Sequence, residues 1–396
     1  MTEGKGESAS DIFLISKLSD IEQPFKWHSL KIPGLEKIEP RVGHAIVSLK
    51  NGELLMIGGG NHNGPLQEMY AINLQPSITN VEESEERVKE HPAKTDFPAR
   101  YEFSCAKDSS NNVWIFGGAD VKSTMNEVFM INSENIVEVV PHEEECEAQV
   151  ARPSSRTQGN NSALVDWKGK QYMAVFAGGL KGEQAVEDRN LYLFDINEYV
   201  WEVVKVNTEE KVIASFPFAC QPPAVQGQVM TAIGSKILVH GGINGLSLYG
   251  GMHWIDLEKV NEDLTRNWID LEVEMLNQTK PAPRAAHGIA KASDVNKGSS
   301  VVYIFGGLGE KGALNDLWSF NIESKTWTQI LPKDGEDEDC KQMVKPEPRL
   351  DFAMCCVGLQ DEDSDQLTLF LIIHGGMNPQ GEIFKDMWVM KIGAVA

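Results

Sequence analysis

The side chains with the most chemical potential in this chain recur in one context. Arg41, Arg100, Arg156, Arg284 and Arg349 open the stretches RVGH, RYEF, RTQG, RAAH and RLDF, and two of these close on a histidine, His44 and His287. AVQGQV, around Val225, holds the matching place without an arginine. A guanidinium can recognise a carboxylate through paired hydrogen bonds and is enriched at interface hot spots. It can equally bond one structural unit to the next. The functional reading makes Arg41, His44, Arg100, Arg156, Arg284, His287 and Arg349 a partner-binding face with a positive rim. The structural reading makes each arginine a packing brace.

Metal and cofactor chemistry find little support. His44 and His287 could face a common channel, but Phe103, Gly159, Gln228 and Phe352 fill the equivalent places. Converging ligands are then lacking, so no metal is expected. GLGEKG, Gly307 to Gly312, matches a dinucleotide fingerprint, which needs a following helix to hold the pyrophosphate. The next residues, ALNDLWSFNI, read as a strand. Cys355 and Cys356 are adjacent in a predicted strand and read as buried thiols, and His240 and His374, each before a glycine pair, read as packed. No nucleophile triad, carboxylate pair or phosphate loop stands out, so no catalytic residue and no cofactor is expected.

The elements that must position these residues form a repeat. LLMIGG, VWIFGG, AVFAGG, ILVHGG, VYIFGG and LIIHGG end at Gly58-Gly59, Gly117-Gly118, Gly178-Gly179, Gly241-Gly242, Gly306-Gly307 and Gly375-Gly376. Each run is too short for a helix and apolar on both faces, as in a strand covered by sheets above and below. The glycines permit a sharp turn. A second strand follows each pair, as in NEVFMI or NDLWSFNI, and Trp201, Trp268 and Trp327 come after it. A further strand begins beside each arginine. Four short strands per repeat, six times over, describe an all-β, six-bladed Kelch β-propeller.

The chain ends suggest how the ring closes. After Gly376 there is room for one turn and the strand Lys385–Ile392, which leaves the last blade without an outer strand. PFKWHSLKI, Pro24 to Ile32, supplies one, with Trp27 at the place of a fourth-strand tryptophan. Residues 1–20 are then expected to be a disordered tail and 21–394 a single propeller. Acidic runs at Val81–Glu90, His142–Glu147, Asp334–Asp339 and Asp361–Asp365 read as solvated loops.

The charge excludes some partners. With 58 acidic against 36 basic residues the net charge is −22, a field that repels phosphate backbones, so nucleic acid is not expected. No apolar span reaches the ~20 residues needed to cross a membrane, and the N-terminus lacks the pattern of a secretory signal. The six cysteines show no CxxC pairing and read as reduced thiols of a cytoplasmic monomer. The sequons at Asn160 and Asn277 are then chance matches.

RVGHA at Arg41–Ala45, RYEFSC at Arg100–Cys105, AVEDRNLYLFD at Ala185–Asp195 and RLDFAMC at Arg349–Cys355 with HGGMNPQGEIFKD at His374–Asp386 carry a closer likeness. Through them the chain resembles the Rab-GTPase effector proteins with Kelch motifs, from about Trp27 to Ile392. The resemblance implies a non-catalytic protein-binding scaffold in endosome-to-Golgi vesicle transport, with a GTP-bound Rab GTPase as partner and peripheral placement on endosomal membranes. That family has His where Phe103, Gln228 and Phe352 stand, and Arg where Val225 stands. Nitrile-specifier proteins are similar in repeat pattern, but their E-x3-D-x3-H iron motif is absent: Glu347 and Glu382 lead through Asp351 and Asp386 to Cys355 and Met390. Sialic acid epimerases are also six-bladed but secreted. A generic scaffold for cytoskeletal or ligase partners is the remaining alternative.

Overall fold

The computed structural model describes residues 14–395, apart from 16–17, 19–20, 22, 76–86, 93–96, 135, 141–151, 160, 181–183, 207–221, 260–264, 267, 272–278, 295–298, 332–343 and 361–366. Its strands form six larger sheets, each built on an antiparallel four-strand meander, and no α-helix occurs among the described residues. The chain is a six-bladed β-propeller.

Blade 1 comprises Ala45–Ser48, Glu53–Ile57, Met69–Asn73 and Val88–Glu90, and blade 2 comprises Ser104–Lys107, Val113–Phe116, Val128–Ile131 and Val137–Val139. Blade 3 holds Leu164–Trp167, Lys170–Val175, Leu191–Asp195 and Val200–Val206; blade 4 holds Val229–Ile233, Lys236–His240, Met252–Asp256 and Ile269–Asp270. Blade 5 is Gly288–Asp294, Ser299–Gly309, Gly312–Asn321 and Thr326–Leu331, and blade 6 is Ala353–Gln360, Leu367–His374, Met387–Val395 and the N-terminal Trp27–Leu30. Val88–Glu90 is therefore an outer strand rather than part of an acidic loop, because Val88 is buried and pairs with Ile72. The other three acidic runs lie outside the described residues.

The second strands are the most deeply buried. Leu54, Met56 and Ile57 are all 0 % exposed, and so are Ile304 and Phe305. Side chains alternate between the two faces of each blade, so each blade shares one buried cluster with each neighbour. Six such clusters are present, one per interface. Burying each large apolar side chain contributes about 1.5–3 kcal/mol, which is what makes radial stacking self-supporting.

Ring closure follows the sequence expectation. Trp27 pairs with Met390, His28 with Val389 and Ser29 with Trp388, antiparallel. Trp27 is 1 % exposed and meets Phe305 of blade 5 edge-on at 5.3 Å. Trp327, Trp268 and Trp201 likewise meet a ring of the preceding blade, one blade further back each time: His240 and Phe176 at a tilt, and Phe116 edge-on. The boundary of the expected tail moves, however. Leu14–Ile15 adds a parallel strand beside Trp27–Leu30, and Leu18 and Ile21 are buried, since these apolar residues cover the blade 6–blade 1 cluster. Residues 1–13 lie outside the described residues.

The glycine pairs take left-handed backbone at five repeats, as in Gly117 (φ 71) and Gly118 (φ 93). The third repeat corrects the sequence reading. There the pair is Ala177 (φ 50) and Gly178 (φ 112), one residue earlier than Gly178-Gly179. A Cβ at Gly178 would lie 2.2 Å from the Thr157 carbonyl, so this second place demands glycine, whereas the first tolerates alanine.

The boundary between blades 3 and 4 is laced differently from the rest. Asn161–Ser162, just before blade 3, pairs parallel with the inner strand of blade 4, and Thr265–Arg266 from blade 4 pairs parallel with the outer strand of blade 3.

Candidate functional site

The five arginines stand at one end of the blades, where the inner strand begins. All are 0–1 % exposed. Nη1 of Arg41, Arg100, Arg284 and Arg349 donates to the carbonyl of the first glycine of its own blade, Gly58, Gly117, Gly306 and Gly375, at 2.8–3.0 Å. Arg156 meets Ala177 in the same way at 3.2 Å, which agrees with the shifted pair. Each Nε donates to the carbonyl two residues before it, as Arg284 does to Ala282 at 3.1 Å. Arg284 also grips Asp316 with two bonds of 2.8 Å, and Arg349 grips Asp386 at 2.7 and 2.9 Å. Both carboxyls are held below their usual range by these guanidiniums despite burial.

The arginines therefore act as braces inside the blades, and an exposed positive rim is not what they make. Their long donors reach carbonyls that the left-handed pair turns away from the sheet, where an unmet acceptor would be costly. His44 and His287 are 2 % and 0 % exposed. His44 Nε2 lies 2.9 Å from His374 Nδ1, and His287 Nε2 lies 2.9 Å from His240 Nδ1. Burial holds His374 and His240 at about 3, so all four imidazoles are neutral at pH 7. Among the described residues no group of three or more His, Cys, Asp or Glu is placed to hold a metal.

What faces solvent at this end are mostly residues one and two places beyond the arginine, although Gln158 and Ala285 are buried. Val42, Tyr101, Thr157, Gln226 and Leu350 are half-buried around the mouth. A collar of left-handed backbone follows: Gly43 (φ 59), Glu102 (φ 52), Gly227 (φ 63), Ala286 (φ 53) and Asp351 (φ 53), each two residues beyond the arginine's place, and Gly159 (φ 55), three beyond it. Their main chains link blade to blade. Gly43 N–H donates to the Asp351 carbonyl at 2.9 Å, Glu102 to Gly43 at 2.7 Å, Gln158 to Glu102 at 2.8 Å, Ala286 to Gly227 at 2.7 Å and Asp351 to Ala286 at 3.0 Å. Among the described residues no such bond joins blades 3 and 4. Two collar residues carry carboxyls, Glu102 and Asp351. Both are raised by burial, and Glu102 pushes Asp351 up further. The sequence reading passed over these two, although their place two residues after Arg100 and Arg349 was on view.

Behind the collar lies a channel of about 300 Å³ lined by the inner strands. Ser48, Thr231 and Lys291 contribute polar groups, with Lys291 Nζ donating to the Ala232 carbonyl at 2.8 Å. Cys355 and Cys356 line it as well and are half-buried rather than sealed in the core; burial pushes the Cys356 thiol up to about 12. On the outer part of the same face, the loops after the glycine pairs carry apolar tips. Val121 of blade 2 is 68 % exposed, Leu180 of blade 3 is 38 % and Leu246 of blade 4 is 101 %. Each of these three consecutive blades thus leaves one apolar side chain in water at a loop tip.

The model of the KLHDC2/KLHL20/DRC7 Kelch-repeats domain matches residues 4–209 and 161–394. The chain is 27 % identical to the "Rab9 effector protein with kelch motifs" of Mus musculus over 92 % of its length and 93 % of the relative's. The Rattus norvegicus protein of that name is 28 % identical over 92 % of this chain and 95 % of the relative. A more distant match is the "Dynein alpha chain, flagellar outer arm" of Chlamydomonas reinhardtii, 25 % identical over 42 % of this chain and 3 % of that one. With its six blades, five of them braced by an arginine, and this coverage, the chain belongs to the Kelch-repeat family of the KLHDC2/KLHL20/DRC7 type.

Proposed function

We propose that the protein is a non-catalytic protein-binding scaffold, an effector that engages a GTP-bound Rab GTPase in endosome-to-Golgi vesicle transport. The observation that carries this reading is the near full-length likeness to two mammalian proteins named as Rab9 effectors. The geometry suits it. The apolar tips Val121, Leu180 and Leu246 and the half-buried mouth residues offer a broad surface, while the arginines and histidines are spent inside the blades. Among the described residues no helix is long and apolar enough to cross a membrane, so placement on an endosome would come through the partner.

Pull-down against a Rab panel tests the proposal. Capture by the GTP-locked form of one member and not by its GDP-locked form is expected. Equal capture of both forms, or none across the panel, would overturn it.

A further inference from the structure

Five blades carry an arginine where the inner strand begins, and blade 4 carries Val225. Its acidic companion is missing too. The residue whose carbonyl accepts from the first glycine's N–H is Glu68, Glu127 or Asp386 in blades 1, 2 and 6, but Gly251 in blade 4. The ring of His253 takes the space beside Gly251 that an acidic side chain would fill, and what remains is a cavity of about 50 Å³, lined by Val225, Gln228, His240, Tyr249, Gly251 and His253 among others. That is room for one planar guanidinium head or one to two waters.

The walls keep their acceptors. Gln228 is 2 % exposed; its Nε2 donates to the Phe176 carbonyl at 3.0 Å, which fixes the amide, and its Oε1 has no partner. His240 is 1 % exposed, with Nε2 unpartnered; this nitrogen accepts in the tautomer in which Nδ1 donates to His287 Nε2. The Gly241 carbonyl is the counterpart of the four glycine carbonyls that accept from arginine elsewhere. An aromatic wall is also in place. Tyr249 N–H donates to Gly242 as Phe384 N–H donates to Gly376, and the Arg349 guanidinium carbon sits 4.3 Å from the Phe384 ring centre.

We propose that this cavity is a receptor for the guanidinium of an arginine on a protein partner, entering the place that an intrachain arginine fills in the other five blades. Pro223, Tyr249 and Gly251 are half-buried, so the cavity reaches the surface, beside the hairpin whose tip is the fully exposed Leu246. Among the described residues no carboxylate lines the cavity. Blade 1 shows that none need be in ion-pair contact: Arg41 is seated by the Glu39 and Gly58 carbonyls at 3.2 and 2.9 Å and by the Tyr70 ring, with the Glu68 carboxylate acting only through space. A chain of net charge −22 also draws cationic segments toward it. The proposal rests on the protein-binding reading only for what bears the arginine.

Isothermal titration with N-acetyl-arginine methylamide, against its neutral citrulline counterpart, tests the receptor itself. Saturable binding of the arginine probe alone is expected. Val225→Arg should fill the site from within and abolish binding; Gln228→Leu, which keeps the fold's packing, should weaken it roughly tenfold or more by removing one buried acceptor. No binding, equal binding of citrulline, or binding indifferent to both variants would overturn the proposal. Those failures would leave the Rab pull-down unaffected, so the two readings fall separately.

Discussion

His44 Nε2 and His374 Nδ1 meet at 2.9 Å across the seam where the two ends of the chain come together, with the rings edge-on at 88°. The same contact, at 2.9 Å and 86°, joins His287 to His240 between blades 5 and 4. In each case a residue of one inner strand reaches the end of the second strand in the preceding blade. At the blade 6–blade 5 interface the equivalent pair is Phe352 and Phe305, ring centres 5.6 Å apart. The position is thus a spacer that accepts either a hydrogen-bonded or an aromatic pair of similar size.

The histidine pairs make the fold sensitive to acid. Their folded-state values lie well below the ordinary 6.5, at about 3 for His240 and His374, so below pH 6.5 the unfolded chain binds more protons. Stability is full above that pH and falls as pH drops toward 3, by roughly 1.4 kcal/mol per unit for each shifted imidazole. Urea unfolding at pH 7.5, 6 and 5 should show this slope. His44→Phe with His374→Phe, which copies the Phe352–Phe305 pair, should reduce it while leaving the share of His240 and His287; an unchanged slope would refute the assignment.

The collar carboxyls act with the opposite sign. Asp351 is raised in the folded state, so it holds a proton that the unfolded chain has lost, and its contribution to stability declines as pH climbs from the ordinary carboxylate range through the raised value. Asp351→Asn is expected to stabilise the protein more at pH 8 than at pH 5. Equal shifts at both, read from unfolding midpoints, would contradict the burial and repulsion from Glu102.

Closure by the N-terminal strand is tested at Trp27. Trp27→Ala removes a buried indole shared by blades 5 and 6 and should cost about 3–5 kcal/mol. An unmoved denaturation midpoint would mean that the strand contributes nothing to the ring.

Arg284→Ala should be the costliest of the arginine substitutions, because it leaves Asp316, 4 % exposed, without its counter-charge: about 3–5 kcal/mol. Adding Asp316→Asn should recover part of this loss. Arg100→Ala should cost less, since its acid, Glu127, is 3.9 Å away and partly in solvent. Thermal unfolding of the three variants orders them directly.

Leu246→Asp separates binding from folding. The side chain is wholly in solvent, so stability should stay within about 0.5 kcal/mol, while capture by the GTP-locked Rab should drop. Retained capture would move the contact away from the blade 4 hairpin.

Much of the architecture was readable along the chain because its determinants are local. A run such as VYIFGG declares a strand buried on both faces and the turn that ends it, and the spare PFKWHSLKI segment declares how the ring closes. The register in the third repeat was not readable, since AVFAGG offers two glycines and only the backbone shows Ala177 taking the first left-handed place. The arginines illustrate the same limit. Their spacing marked a ring, but whether a guanidinium at Arg41 faces water or the Gly58 carbonyl depends on where the turned carbonyls point.

By itself, then, the sequence determined the number of blades, the strand order and the closing strand, through apolar runs, glycine turns and tryptophans that act within a few residues of themselves. Only the tertiary structure decided which polar groups are consumed inside and which remain to meet a partner. That division depends on juxtapositions such as His44 beside His374, Glu102 beside Gly43, and Val225 opposite Gly251, between residues from 26 to 330 positions apart, whose burial no local pattern records.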